Sequence, residues 1–97
     1  MFIIAEIGVN WDGNLDLASK MILDAKNSGC NAVKFQAFND EMIKDHPLRK
    51  RLKNCAITKE NVKEISDISK RIGIEWFCTP MYPDAVDFLD PFVSRFK

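Results

Sequence analysis

The span from Phe2 to Gln36 contains one complete strand–helix–strand unit, and that unit leaves the chain few architectures to choose from. FIIAEIG reads as the first strand, apolar up to Glu6, as expected of a strand covered on both faces. The helix DLASKMILDAKNSG follows, with Leu17, Ala18, Met21, Ile22 and Ala25 at helical spacing on one side. Asn14 is placed to cap it, Asp16 suits its first turn, and Gly29 stops it. NAVKFQAF then supplies a second strand over Ala32 to Phe38. Val33, Phe35 and Ala37 share one of its faces, and Lys34 and Gln36 share the other.

The alternation continues. Thr58 heads a helix over 59–72, with Val62, Ile65, Ile68 and Ile72 on one side and Gly73 at its end. Ile74 to Cys78 reads as a third strand closed by Thr79-Pro80, Asp84 to Leu89 as a short helix, and Phe92 to Lys97 as the start of a fourth strand. Residues 39–56 show no clear period and are expected to form a loop with a short helix near Leu48 to Asn54. No hairpin turn separates the strands, so the sheet is expected to be parallel with right-handed crossovers. The first loop reads GVNWDG rather than GxGxxG, which argues against a dinucleotide fold and for an α/β barrel. A closed barrel of that type takes about 250 residues. The 97 residues are therefore expected to be an incomplete TIM (β/α)8 barrel, with about four parallel strands and three helices.

Composition excludes several partner classes. Lysine plus arginine and aspartate plus glutamate total 14 each, so no global charge draws the chain to nucleic acid. The local run KDHPLRKRLK, Lys44 to Lys53, has no interleaved aromatics that could stack bases, and it reads as a solvated face. No apolar run approaches the roughly 20 residues of a membrane span, and MFIIAEIG lacks the basic leader of a signal peptide. Cys30, Cys55 and Cys78 are odd in number and contain no CxxC pair, which predicts reduced thiols in a cytoplasmic protein. Cys78 reads as a small buried hydrophobe. The lone histidine, His46, reads as solvent-facing and cannot make a metal site by itself.

The polar residues at strand ends carry the chemistry. Charged side chains are seldom buried without a partner or a task. Glu6 at the end of the first strand and Lys34 and Gln36 on the second are therefore the leading site candidates, with Asn10 just beyond the first strand. Trp11 reads chiefly as a packing residue.

Four segments in order, IIAEIGVNWDGNLDLA, NAVKFQAF, GIEWFCTP and the terminal RFK, resemble the N-terminal half-barrel of the sialic acid synthase family. That family includes N-acetylneuraminate, legionaminate and pseudaminate synthases and related spore-coat polysaccharide proteins. The resemblance implies condensation of phosphoenolpyruvate with an N-acyl hexosamine such as N-acetylmannosamine. The product is a nine-carbon 2-keto acid, and phosphate is released. By matching motifs, Glu6 and Lys34 resemble the catalytic glutamate and the lysine that contacts phosphoenolpyruvate. Asn10, Gln36, Thr79 and Lys97, together with Lys34, resemble substrate-binding positions.

It also implies a divalent metal, Mn or Mg, and a homodimer for the full-length parent, with no metal bound by this chain alone. Three departures stand out. Trp11 occupies the usual histidine position, the segment from Phe38 to Thr58 is short, and the family's metal ligands lie beyond Lys97. The isolated 97-residue chain is accordingly expected to be inactive and to be a fragment. The alternatives are another phosphoenolpyruvate-dependent 3-deoxy sugar acid synthase, or a non-catalytic half-barrel that assembles with itself or with another chain.

Overall fold

Three strands make a parallel sheet in the order β1 (Ile4–Gly8), β2 (Ala32–Ala37), β3 (Glu75–Pro80) in the computed structural model, which describes residues 1–97. Between β1 and β2 runs α1 (Leu15–Asn27), and between β2 and β3 runs α4 (Val62–Ile72), preceded by the single-turn helices α2 (Asp40–Ile43) and α3 (Arg49–Leu52). After β3 comes α5 (Pro83–Leu89). This is an incomplete α/β domain of barrel type, with helices packed on one face of the sheet and the other face open.

The start of α1 is as its sequence dictates. Asn14 Oδ1 accepts from the amides of Asp16 at 2.9 Å and Leu17 at 3.1 Å, satisfying two donors that the helix itself cannot. Ala18, Ile22 and Ala25 of α1, with Val62, Ile65 and Ile68 of α4, bury their side chains against Val33, Phe35 and Trp76 of the sheet. Phe35 sits edge-on between two indoles, 6.0 Å from Trp11 and 6.2 Å from Trp76. The C-terminal glycine of α4, Gly73, adopts φ +88°, and its carbonyl accepts from Lys26 Nζ at 2.9 Å, tying the two helices together.

Four expectations need correction. Phe2, Ile3 and Ile4 are 46%, 46% and 43% exposed, so β1 is an edge strand and is not covered on both faces. The fourth strand is reduced to one parallel bridge, Cys78 to Phe96. Ser94 and Arg95 are tied through their side chains to Glu75, and only Phe96 reaches ladder geometry. The helix expected from residue 59 begins at Val62, because Thr58 and Asn61 exchange bonds first: Thr58 N donates to Asn61 Oδ1 at 2.8 Å and Asn61 N to Thr58 Oγ1 at 3.3 Å. Five helices replace the expected three: α3 is the short helix expected near Leu48 to Asn54, and α2 is an additional single turn.

The loop between β1 and α1 is held against residues 54–55. Gly13 has φ +68°, and a Cβ there would meet the carbonyl oxygen of Asn54 and lie 2.8 Å from Asn54 Cβ. Both conditions exclude a larger residue. Gly13→Ala is expected to destabilise the chain by roughly 2–3 kcal/mol, read as a lower urea midpoint. An unchanged midpoint would mean that the two loops separate at no cost.

Candidate active site

Parallel register brings the strand-end polar residues to one level. Glu6 stands opposite Lys34, which stands opposite Phe77, and two residues further on Gln36 stands opposite Thr79. Alternation puts Val33 and Phe35 into the helix-covered core, so Lys34 and Gln36 project from the open face. Lys34 is 5% exposed, which would be costly for an unpaired ammonium. It is paired: Nζ lies 2.5 Å from Glu6 Oε1 and donates to Thr79 Oγ1 at 2.9 Å. The Glu6 side chain is 47% exposed, so its second oxygen remains open to solvent or ligand.

A register shift between Glu6 and Gly8 ends this ladder. The resulting bulge lets Gly8, at φ +57°, bring the backbone close to the Glu6 carboxylate and the Gln36 amide. A Cβ on Gly8 would lie 3.8 Å from Glu6 Oε2 and 3.9 Å from Gln36 Nε2, which marks all three as neighbours at the rim.

An open cleft of about 480 Å³ lies over the ion pair, lined by Glu6, Lys34, Arg95 and Lys97 between the apolar walls of Phe2 and Phe77. Lys97 reaches it from the bridged segment, its amide donating to Cys78 O at 3.3 Å. Arg95 is committed elsewhere, with Nε 2.5 Å from Glu75 Oε2 and its guanidinium 4.6 Å above the Phe2 ring. Glu6, Lys34, Thr79 and Lys97 are thus gathered on one side of the sheet, with Gln36 beside them. Asn10 lies apart, in a small hollow with Val9, Leu48, Arg51, Leu52 and Cys55.

Trp11 is 1% exposed and lines none of this. Its indole Nε1 donates to Cys55 O at 2.9 Å, so it is a core residue that pins the first loop. Next to it Arg51 grips Asp12 bidentately, at 2.8 Å and 3.0 Å, and holds the Asp12 carboxyl below the usual carboxylate range. His46 is exposed and accepts from Leu48 N at 3.0 Å through Nδ1. No group of three or more His, Cys, Asp or Glu lies close enough to hold a metal ion, so the residues present do not form a metal centre.

Cys78 lies directly beneath the site. Burial pushes its thiol up to about 12; the Glu6 carboxylate also raises it, and the Lys34 ammonium works against both. It is therefore a packing thiol and not a nucleophile. A group held protonated in the fold adds stability that is fully present below its unfolded value, 9.0, and lost as pH rises toward 12. Burial shifts Cys55 in the same direction. Urea midpoints are expected to fall steadily across pH 9–12, and a Cys78→Ala variant should show a shallower fall. Parallel curves for variant and parent would refute this.

Two features escaped the sequence reading. Arg95 stands two residues before Lys97 on the same extended segment, a spacing that could have put it in the cleft. The Asp12–Arg51 clasp spans 39 residues and left no local signal.

Residues 21–97 match the model of the NeuB family. The chain is 33% identical to N,N'-diacetyllegionaminic acid synthase of Legionella pneumophila, an alignment covering 91% of this chain and 29% of that protein. It is 30% identical to N-acetylneuraminate-9-phosphate synthase of Drosophila melanogaster, over 97% of this chain and 30% of that one. Among solved structures, N-acetylneuraminic acid (sialic acid) synthetase from Leptospira borgpetersenii in complex with citrate superposes with a TM-score of 0.83 at 31% identity. That match covers 98% of this chain and 34% of the other. The chain therefore spans about 30% of the length of these relatives.

Proposed function

Since the chain belongs to the NeuB family, we propose that it forms the N-terminal part of a phosphoenolpyruvate-condensing synthase that makes nonulosonic acids. The architecture of the whole would be a closed (β/α)8 barrel, to which residues 1–97 contribute β1 to β3 and a fourth strand begun at Phe96. The observation that carries the reading is the Lys34 ammonium, buried yet aimed at the rim and steadied by Glu6 and Thr79.

In the proposed reaction, carbon 3 of phosphoenolpyruvate attacks the aldehyde carbon of an open-chain N-acyl hexosamine. Water adds at carbon 2, and the tetrahedral intermediate expels phosphate as its carbon–oxygen bond breaks. The aldehyde oxygen takes up a proton as it becomes a hydroxyl. Lys34 and Lys97 would act as point charges on the carboxylate and phosphate of phosphoenolpyruvate. Lys34 needs little rearrangement to do so, because its head is already desolvated and hydrogen-bonded. The free oxygen of Glu6 is positioned to orient the attacking water or relay a proton. Gln36, with both a donor and an acceptor, suits a sugar hydroxyl or amide.

The divalent ion of such an enzyme would supply Lewis acidity to the aldehyde from side chains outside these residues. The cytoplasm is the proposed setting, in keeping with three unpaired cysteines, and a homodimer the proposed assembly. The test is phosphate release from phosphoenolpyruvate and N-acetylmannosamine by the full-length protein. Failure with every N-acyl hexosamine, alongside turnover with a phosphorylated pentose or tetrose, would favour a 3-deoxy sugar acid synthase instead.

A further inference from the structure

The segment that carries Lys97 is barely bonded to the sheet through its backbone. Its ladder to β3 is the single bridge from Cys78 to Phe96. Lys97 N donates to Cys78 O at 3.3 Å, beyond the usual range of about 2.7–3.2 Å for such a bond. The side chain of Glu75, at the start of β3, supplies what this ladder lacks. Its Oε2 accepts from Ser94 Oγ at 3.3 Å and lies 2.5 Å from Arg95 Nε, while Oε1 accepts from Arg95 Nη2 at 3.2 Å. One carboxylate therefore grips two successive residues, the second through a planar fork that also fixes its direction. The same guanidinium lies 4.6 Å from the centre of the Phe2 ring, so it spans the open face from the β3 side to the β1 side.

Register places this clamp below the Lys34–Glu6 pair. Glu75 is level with Ala32 and Ile4, whereas Phe77, Lys34 and Glu6 stand two residues further along their strands, roughly 6–7 Å toward the carboxyl ends. Arg95 thus closes the cleft on its amino-terminal side. The charges of the cleft then fall into pairs, with one left over. Lys34 is matched by Glu6 and Arg95 by Glu75, but the ion pairs of the chain do not include Lys97. An anion entering the cleft therefore meets its uncompensated positive charge at Lys97. The place of that ammonium depends on a clamp two residues away.

We infer that Glu75 is a positioning residue for the anion site: by holding Ser94 and Arg95 it keeps Lys97 over the cleft. Glu75 does not itself line the cleft. The inference rests on the condensation reading above and deepens it. An anion that had to order residues 94–97 would bind more weakly than one that finds them already in place.

The test is a double-mutant cycle in the full-length protein, with phosphoenolpyruvate as the probe and calorimetry reporting both Kd and stoichiometry. Glu75→Gln keeps the shape of the side chain and removes its charge. If Glu75 were only a negative charge near an anion site, this change would tighten binding. As a positioning residue it should instead loosen phosphoenolpyruvate about ten-fold at unchanged stoichiometry, whereas a loss of folded protein would lower stoichiometry and leave Kd alone. Ser94→Ala removes one handle of the clamp and should loosen binding about two- to three-fold in the same sense. Lys97→Met should loosen it about ten-fold, and adding Glu75→Gln to that variant should change Kd by about two-fold or less, since no ammonium remains to be positioned. Unchanged or tighter binding by Glu75→Gln, or losses that add in the double variant, overturns the inference. Failure of phosphoenolpyruvate to bind the parent, or indifference of its Kd to Lys97→Met, counts instead against the condensation reading at this cleft, so the two failures are told apart.

Discussion

Lys34→Met is expected to weaken phosphoenolpyruvate binding at the proposed site by one to two decades and to cut phosphate release by the full-length protein by about 100-fold or more. The reasoning is local. The ammonium is 5% exposed and held by Glu6 at 2.5 Å and Thr79 at 2.9 Å, so a ligand anion would meet a charge that little solvent screens. Such charge-assisted contacts are worth about 1.5–3 kcal/mol each, or one to two decades of affinity. Methionine nearly matches lysine in length and tolerates an apolar surround. It leaves behind a Glu6 carboxylate that is half-exposed and can hydrate. The fold should therefore survive, with an unfolding free energy from urea titration lowered by about 1 kcal/mol or less, while binding and turnover fall. A Lys34→Met protein that released phosphate within a few-fold of the parent would remove Lys34, and with it the proposed chemistry, from the reaction.

Trp11→Ala is expected to cost about 4 kcal/mol of folding stability, a large share of what a domain of this size possesses. The indole is fully enclosed, contacts Phe35 edge-on at 6.0 Å, and donates to Cys55 O at 2.9 Å. Truncation opens a cavity within the principal core and strips a buried carbonyl of its donor. Trp11→Phe separates the two effects: the ring volume largely remains, and the unmet carbonyl alone should cost about 1–2 kcal/mol. Equilibrium urea unfolding of both variants measures each share. If the alanine variant kept the parent's midpoint, Trp11 would have to be a surface residue, and position 11 would again be open to a role in substrate contact.

Glu6, Lys34, Gln36 and Thr79 were legible because each interrupts or ends an apolar strand, and such interruptions need a reason. The crossover helices α1 and α4 were legible for a similar reason, since period 3.6 ran between glycine stops and matched the burial found at Ile22 and Ile65. Register was not legible. Nothing within FIIAEIG says that Glu6 stands level with Lys34 rather than with Gln36, because pairing depends on backbone bonds between segments about 28 residues apart. The burial of Trp11 was only half visible, for its partner carbonyl lies 44 residues away. The polar span 39–56 concealed most. Side chains that look equally solvated in KDHPLRKRLK divide in three dimensions, with Arg51 turned to Asp12 and Arg49, Lys50 and Lys53 turned to a common hollow. Asn10, singled out for its place just beyond the first strand, lies on the Arg51 side of that division.

The contacts that fasten residues 11–13 to residues 51–55 carry an evolutionary consequence. An indole, a carboxylate and a bare α-carbon on one segment each need their own counterpart on the other. A change in either segment should therefore be tolerated only with a matching change in the other, so that the two vary together.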